Sequence, residues 1–200
     1  MAYGRQHAFF LFFMVGFMKT MIGADYERGL KTLTEYVETG GVNSKTKVAG
    51  IDDVSQTHYI GVEARCSVKE IGDSMGQSLP AAFECAKKNG MEQNGPPGTL
   101  YHKVDLKQQQ CHYTAFVQTK TAPTFDGAQA GSIAPCRALK VLHTSSYQHF
   151  GNAWSTAMAY QRHRKLQLLK SQCGFELYPS DPRDTAEKDL ITEVFLPVRS

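Results

Sequence analysis

One order of elements is set down twice along this chain of 200 residues. Over 46–119, runs rich in β-branched and aromatic residues at Val48–Asp52 and His58–Ser67 lead into a helical stretch, and strands follow at Thr99–Leu106 and Cys111–Thr119. Over 131–198 a strand at Ser132–Thr144 precedes a helix of about 149–171, a short strand at Phe175–Tyr178 and a last strand at Leu190–Val198. No residue identity repeats between the halves, so the duplication is one of topology. It predicts an α+β domain in which two pseudo-symmetric β-α-β-β units form one antiparallel sheet with helices on one face. The opposite face must then be covered, wet, or a ligand groove between the halves.

The punctuation between these elements is local chemistry. Met75, Leu79, Ala82, Phe83 and Ala86 make one apolar helical stripe, which Asn89-Gly90 ends. Pro80 interrupts it, so either the helix kinks there or its regular part begins with Ser78 as N-cap. In the second helix Phe150, Ala153, Trp154, Ala157 and Met158 share a stripe. Upstream, two helices are expected over roughly 5–21 and 24–38, the second with Tyr26, Leu30, Leu33 and Val37 on one side, and segment 39–46 reads as a linker. The division is an N-terminal helical extension over 1–45 and a ligand-binding domain over 46–200.

Composition limits what such a chain does. Hydrophobic content of 42% with 20% charged residues suits a soluble globular protein, and a net charge of +3 is too small to argue for nucleic acid or an anionic membrane. Direct nucleic-acid binding is therefore not expected. The apolar run Ala8–Met18 has eleven residues, too few to span a bilayer. It resembles the core of a signal peptide, but a buried or partner-facing helix in a cytoplasmic protein is the preferred reading. Five scattered cysteines without a C-x-x-C pair argue against a disulfide framework or zinc site and for a reducing cytosol. The seven histidines show no helical metal-ligand pair. His102 and His112 are placed to face each other across a hairpin, more in keeping with structure than with a metal. No phosphate loop and no Gly-x-Ser-x-Gly nucleophile motif is present. No cofactor and no metal are expected.

The chemistry concentrates in Phe175–Pro182, which reads FELYPSDP. Strand alternation puts Glu176 and Tyr178 on one face and Phe175 and Leu177 on the other, and the prolines and Asp181 force a turn. The expected arrangement has Glu176 and Tyr178 toward the groove and Phe175 and Leu177 under the helices. A carboxylate among aromatic rings loses solvation and favours either protonation or a cationic partner. Trp154 lies on the helix stripe, where packing is its first role and a pocket wall its second. Tyr113 and Phe116 read as core or sheet-face residues, and Phe116 is carried with Trp154 and Tyr178 among the candidate ligand-binding residues.

Three stretches carry a family resemblance. FELYPSDP followed by ITEVFLPV resembles the closing signature of GyrI-like effector-binding domains; GPPGTLYHKVD (Gly95–Asp105) and SSYQHFGNAW (Ser145–Trp154) resemble two further motifs of that family. Ser145 stands where the family usually has glycine. The resemblance, over about 46–198, implies a pair of β-α-β-β units around a central pocket, with Glu176 as the pocket glutamate and Tyr147 and Tyr101 at aromatic pocket positions. It implies a domain that binds a small, hydrophobic or cationic compound, as in multidrug-responsive transcription regulators. Some family members hydrolyse strained cyclopropane compounds, and on that alternative Glu176 would be general acid or base with Tyr147 or Tyr178 assisting. A third reading is a protein-interaction module, with a partner such as gyrase, or a dimer contact, at the apolar N-terminal helix. The segment before about residue 38 is similar to the connector that follows a START-like domain.

Overall fold

The computed structural model describes residues 23, 26–123 and 130–199. The helix expected over 5–21 lies outside these residues, whereas residues 26–39 are helical (α1). After α1 come β1 (Ser44–Val54), β2 (Thr57–Ser67), α2 (Ile71–Lys88), β3 (Gly98–Asp105) and β4 (Gln110–Thr119). The second half contributes β5 (Ala130–Ile133), β6 (Cys136–Ser145), α3 (Gly151–His163), β7 (Phe175–Leu177) and β8 (Ile191–Val198). Strand β1 thus begins inside the segment expected to be linker.

The eight strands form one antiparallel sheet in the order β1-β6-β8-β7-β3-β4-β2-β5. Its centre is the expected pseudo-symmetric pair, β6-β8-β7 against β3-β4-β2, joined where β7 pairs with β3. Each half also lends its leading strand to the other, since β1 pairs with β6 and β5 with β2. Consecutive strands β1 and β2 therefore stand near opposite ends of the sheet, yet only two residues separate Val54 from Thr57. Three residue steps reach about 11 Å at most. The sheet must curl until its ends approach.

The curl explains how apolar residues divide between the faces. Tyr59, Leu100, Phe116, Ile133, Ala138, Phe175 and Phe195 cluster on the inner side with Val54 and Leu177, and neither helix contributes to that cluster. Phe175 stacks on Phe195 with ring centroids 4.7 Å apart. On the outer side α2 lays Ala82 and Ala86 over Ile60 and Val117, and α3 lays Ala153 and Ala157 over Leu139, Val141 and Val194. Small residues beneath the helices let them approach the sheet closely, while large ones fill the curl. This corrects the expected placement of Phe175 and Leu177, which pack inside the curl and not under the helices.

Other expectations also change. The stretch Ser132–Thr144 is not one strand; it breaks at Ala134-Pro135, because Pro135 offers no N–H to a ladder and the chain must cross from one sheet end to the other. Helix α2 starts at Ile71, after a capping box between Ser67 and Glu70, and carries Pro80 in its interior; Ser78 is therefore no N-cap but a buried residue bonding back to the Ser74 carbonyl at 2.8 Å. Phe83 is left 38% exposed, off the packed stripe. Helix α3 stops at His163, well short of 171, where Lys165 takes a positive φ of 54° and the Leu166 N–H turns back to the Gln161 carbonyl. His102 and His112 do face each other, with ring centroids at 4.7 Å; His102 meets the Thr114 hydroxyl and His112 the Glu63 carboxylate.

Ser145 closes β6 with a φ of 147°, in the range that favours glycine, and its buried hydroxyl has no partner among the described residues. Such a residue stores about 1–3 kcal/mol of strain, part of which glycine's greater freedom in the unfolded chain offsets. Ser145→Gly is expected to stabilise by about 1 kcal/mol, raising Tm by about 2–4 °C in a thermal unfolding scan.

Candidate functional site

The outer face between α2 and α3 is where alternation along β7 delivers a polar group. Glu176 is 1% exposed and pairs across the ladder with Thr99 of β3 and Val194 of β8. Its carboxylate accepts from the Trp154 indole N–H on α3 and from the Tyr178 hydroxyl at 2.6 Å, with the Tyr101 phenol of β3 close by. The Tyr178 oxygen also lies 3.0 Å from the Thr99 hydroxyl and 3.7 Å from the Met75 sulfur on α2. Tyr101 meets Trp154 edge-on at 5.5 Å. A side chain at Gly174 would fall 2.7 Å from the Trp154 ring, so glycine there lets the indole lie close to the backbone while its N–H reaches the acid.

Both hydrogen-bond partners of the carboxylate are neutral donors. Burial pushes the Glu176 carboxyl up to about 7, although the hydrogen bonds from Tyr178 and Trp154, and the nearby Tyr101 phenol, each pull it down. Burial, and then the Glu176 charge, drive the Tyr101 and Tyr178 phenols well above their usual range, so both remain donors. The site is thus a buried carboxyl lined by aromatic rings and titrating near neutrality.

Of the candidate residues, the structure brings together Glu176, Tyr178, Tyr101 and Trp154. Tyr147 stands at the rim, 43% exposed, with its ring edge-on to Tyr178 at 6.1 Å. Phe116 is not part of this group. Alternation along β4 turns Tyr113, Ala115 and Val117 toward α2 and Phe116 into the curl, where it meets Tyr59 at 5.0 Å. Thr99 and Met75, which the sequence reading passed over, complete the surroundings of Tyr178. Thr99 was findable as the residue that a β3–β7 pairing sets opposite Glu176; Met75 carried no signal beyond its place on the α2 stripe. Asp181 shapes the following turn, bonded to the Arg183 N–H and guanidinium, which hold its carboxyl down at about 2.

A curled antiparallel sheet with a buried acid among aromatic donors has the build of a small-molecule-binding domain. The family model for the GyrI-like small molecule binding domain matches residues 51–199, and the chain belongs to this family. No curated protein gives a significant match to the sequence. Among solved structures, the EcmrR chain in an EcmrR–DNA complex superposes with a TM-score of 0.67 at 15% identity, over 98% of this chain and 70% of that one. The EcmrR C-terminal domain matches with a TM-score of 0.63 at 17% identity, over 78% of this chain and 98% of that one. SAV2435, solved bound to tetraphenylphosphonium, gives 0.54 at 13% identity, over 78% of this chain and 94% of that one. At these identities the likeness is one of fold.

The EcmrR comparison corrects the expectation that nucleic acid is excluded as a partner. A chain that shares this fold over 98% of the present one is seen in a complex with DNA. A net charge of +3 summed over the sequence says nothing of where contacts to DNA sit in such an assembly, so the charge argument carried less weight than it was given. No helix among the described residues is long and apolar enough to cross a membrane.

Proposed function

We propose that this GyrI-like domain binds a lipophilic organic cation between α2 and α3, with Glu176 as counter-charge, and that it senses or sequesters such compounds in the cytoplasm. One observation carries this reading: a carboxylate 1% exposed whose partners are all neutral. A delocalised cation is weakly hydrated, so it loses little on leaving water and gains both charge pairing and contact with the faces of Trp154, Tyr101 and Tyr178. Tyr147, half-exposed beside Tyr178, marks the side from which a ligand would come in. The likeness of fold to a protein solved with tetraphenylphosphonium is in keeping with this ligand class.

The test is direct because Trp154 is the only tryptophan of the chain and touches Glu176. Titration with tetraphenylphosphonium is expected to quench its fluorescence saturably, and Glu176→Gln to weaken binding at least tenfold, or about 1.4 kcal/mol. A neutral compound of similar size, triphenylphosphine oxide, is expected to compete poorly. Equal binding by wild type and Glu176→Gln would overturn the charge-anchor reading.

A further inference from the structure

Strands β2 and β4 set two free cysteines directly opposite each other, Cys66 against Cys111. Opposed Cα atoms in an antiparallel ladder stand about 4.5–5.5 Å apart. A disulfide spans Cα separations of about 4.4–6.8 Å. Both side chains belong to the outer-face cluster at the start of α2, beside Ile71, Met75 and Tyr101. Their accessibility differs: Cys111 is 2% exposed, whereas Cys66 is only partly buried. Where the β3–β4 turn ends the sheet lies a surface hollow of about 620 Å³ whose lining includes both cysteines, with Arg65, Lys103 and His112 on the opposite face of the same strands. Asp105 is engaged by Lys103 at 3.4 Å, which leaves the hollow without excess negative charge.

We propose that Cys66 and Cys111 form a thiol–disulfide exchange site that reacts with small disulfides. The Cys66 thiolate attacks one sulfur of the incoming disulfide RSSR, forming Cys66–S–S–R and releasing RS⁻. Cys111 then attacks the Cys66 sulfur, the Cys66–S–S–Cys111 bond forms, and R leaves as the thiol with the proton that Cys111 gives up. Two protein thiols are oxidised and one RSSR is reduced to two thiols. The order follows from access, since Cys66 is only partly buried while Cys111 is 2% exposed. Burial also pushes the Cys111 thiol up to about 11, with Cys66 and Glu176 adding to the effect, so Cys111 is protonated while Cys66 makes the first attack.

The experiment treats the whole chain with oxidised glutathione, counts free thiols and maps disulfides by mass spectrometry. The expected result is a fall from five titratable thiols to three, with one peptide pair joined through Cys66 and Cys111 and no glutathione retained. Excess reductant restores all five. Cys111→Ala is expected to accumulate glutathione on Cys66, and Cys66→Ser to lose both products. The proposal is overturned if the wild type keeps glutathione as a mixed disulfide, if oxidation falls on Cys85, Cys136 or Cys173, or if the thiol count does not change. The wild-type map decides the matter even where a variant folds poorly.

Discussion

Replacing Glu176 with glutamine is expected to remove most of the pH dependence of stability between about pH 4.5 and 7. The carboxyl titrates at about 7 in the folded chain against 4.5 when unperturbed. In that window the folded state holds a proton that the unfolded state has given up, so stability present at acid pH is lost as pH rises through about 7. The shift corresponds to roughly 3 kcal/mol. Urea unfolding at pH 5 and pH 8 should show this loss in wild type and a much flatter profile in Glu176→Gln. The slope is the diagnostic, because the amide nitrogen would meet one of the donors now facing the acid and return part of the gain in absolute stability. On the proposed function the same titration is expected to govern binding. Tetraphenylphosphonium prefers the ionised acid, so its affinity should rise about tenfold per pH unit below 7 and level off above, and ligand should restore stability at alkaline pH. A wild-type affinity independent of pH from 5 to 8 would remove Glu176 from the site.

The second large effect is steric. Gly98 pairs with Leu177 of β7 on one side and Phe116 of β4 on the other. A Cβ there would lie 2.3 Å from the Glu176 carbonyl oxygen, 2.6 Å from the Phe116 ring and 2.9 Å from the Leu177 side chain. The first obstacle is backbone of the strand that joins the halves and cannot swing aside. Gly98→Ala is expected to cost about 3 kcal/mol or more, with the urea midpoint falling accordingly, and to impair tetraphenylphosphonium binding by moving β7. Gly72→Ala on α2, where nothing lies within 4 Å, is the matched control and is expected to be neutral or stabilising by up to about 1 kcal/mol.

Much of this was legible in the residues. Alternation along FELYPSDP paired Glu176 with Tyr178 and Phe175 with Leu177, and the doubled strand–helix–strand–strand order gave the pseudo-symmetric sheet centre. The assignment of faces was not legible. Period-two patterning says which residues share a side, but both sides of this sheet are apolar, one because it is curled shut and the other because helices lie on it. Greasy Phe175 and Leu177 therefore looked like helix-facing residues, when the helix side at the centre is the polar one. Phe116 misled in the same way. The break at Pro135 followed a topological demand, the return of the chain to the far end of the sheet, that local pattern could not anticipate. Nor did any pattern announce the contact of buried His149 with the partly buried Glu35 at 2.6 Å, between α1 and the turn before α3, which depends on tertiary placement alone.

The exchange of leading strands between the halves has a consequence for how the chain comes to be folded. Ser44 must find Ser145, and Thr57 must find Ile133, before either edge of the sheet exists. Closing such long loops is entropically costly and comes late. The surroundings of Glu176 likewise come from both halves, Thr99 and Met75 from the first and Trp154 and Tyr178 from the second, so neither half alone encloses it. The acid is expected to stay hydrated and to titrate in the ordinary range until β7 has paired with β3, so the proposed cation site belongs to the finished sheet and not to either half.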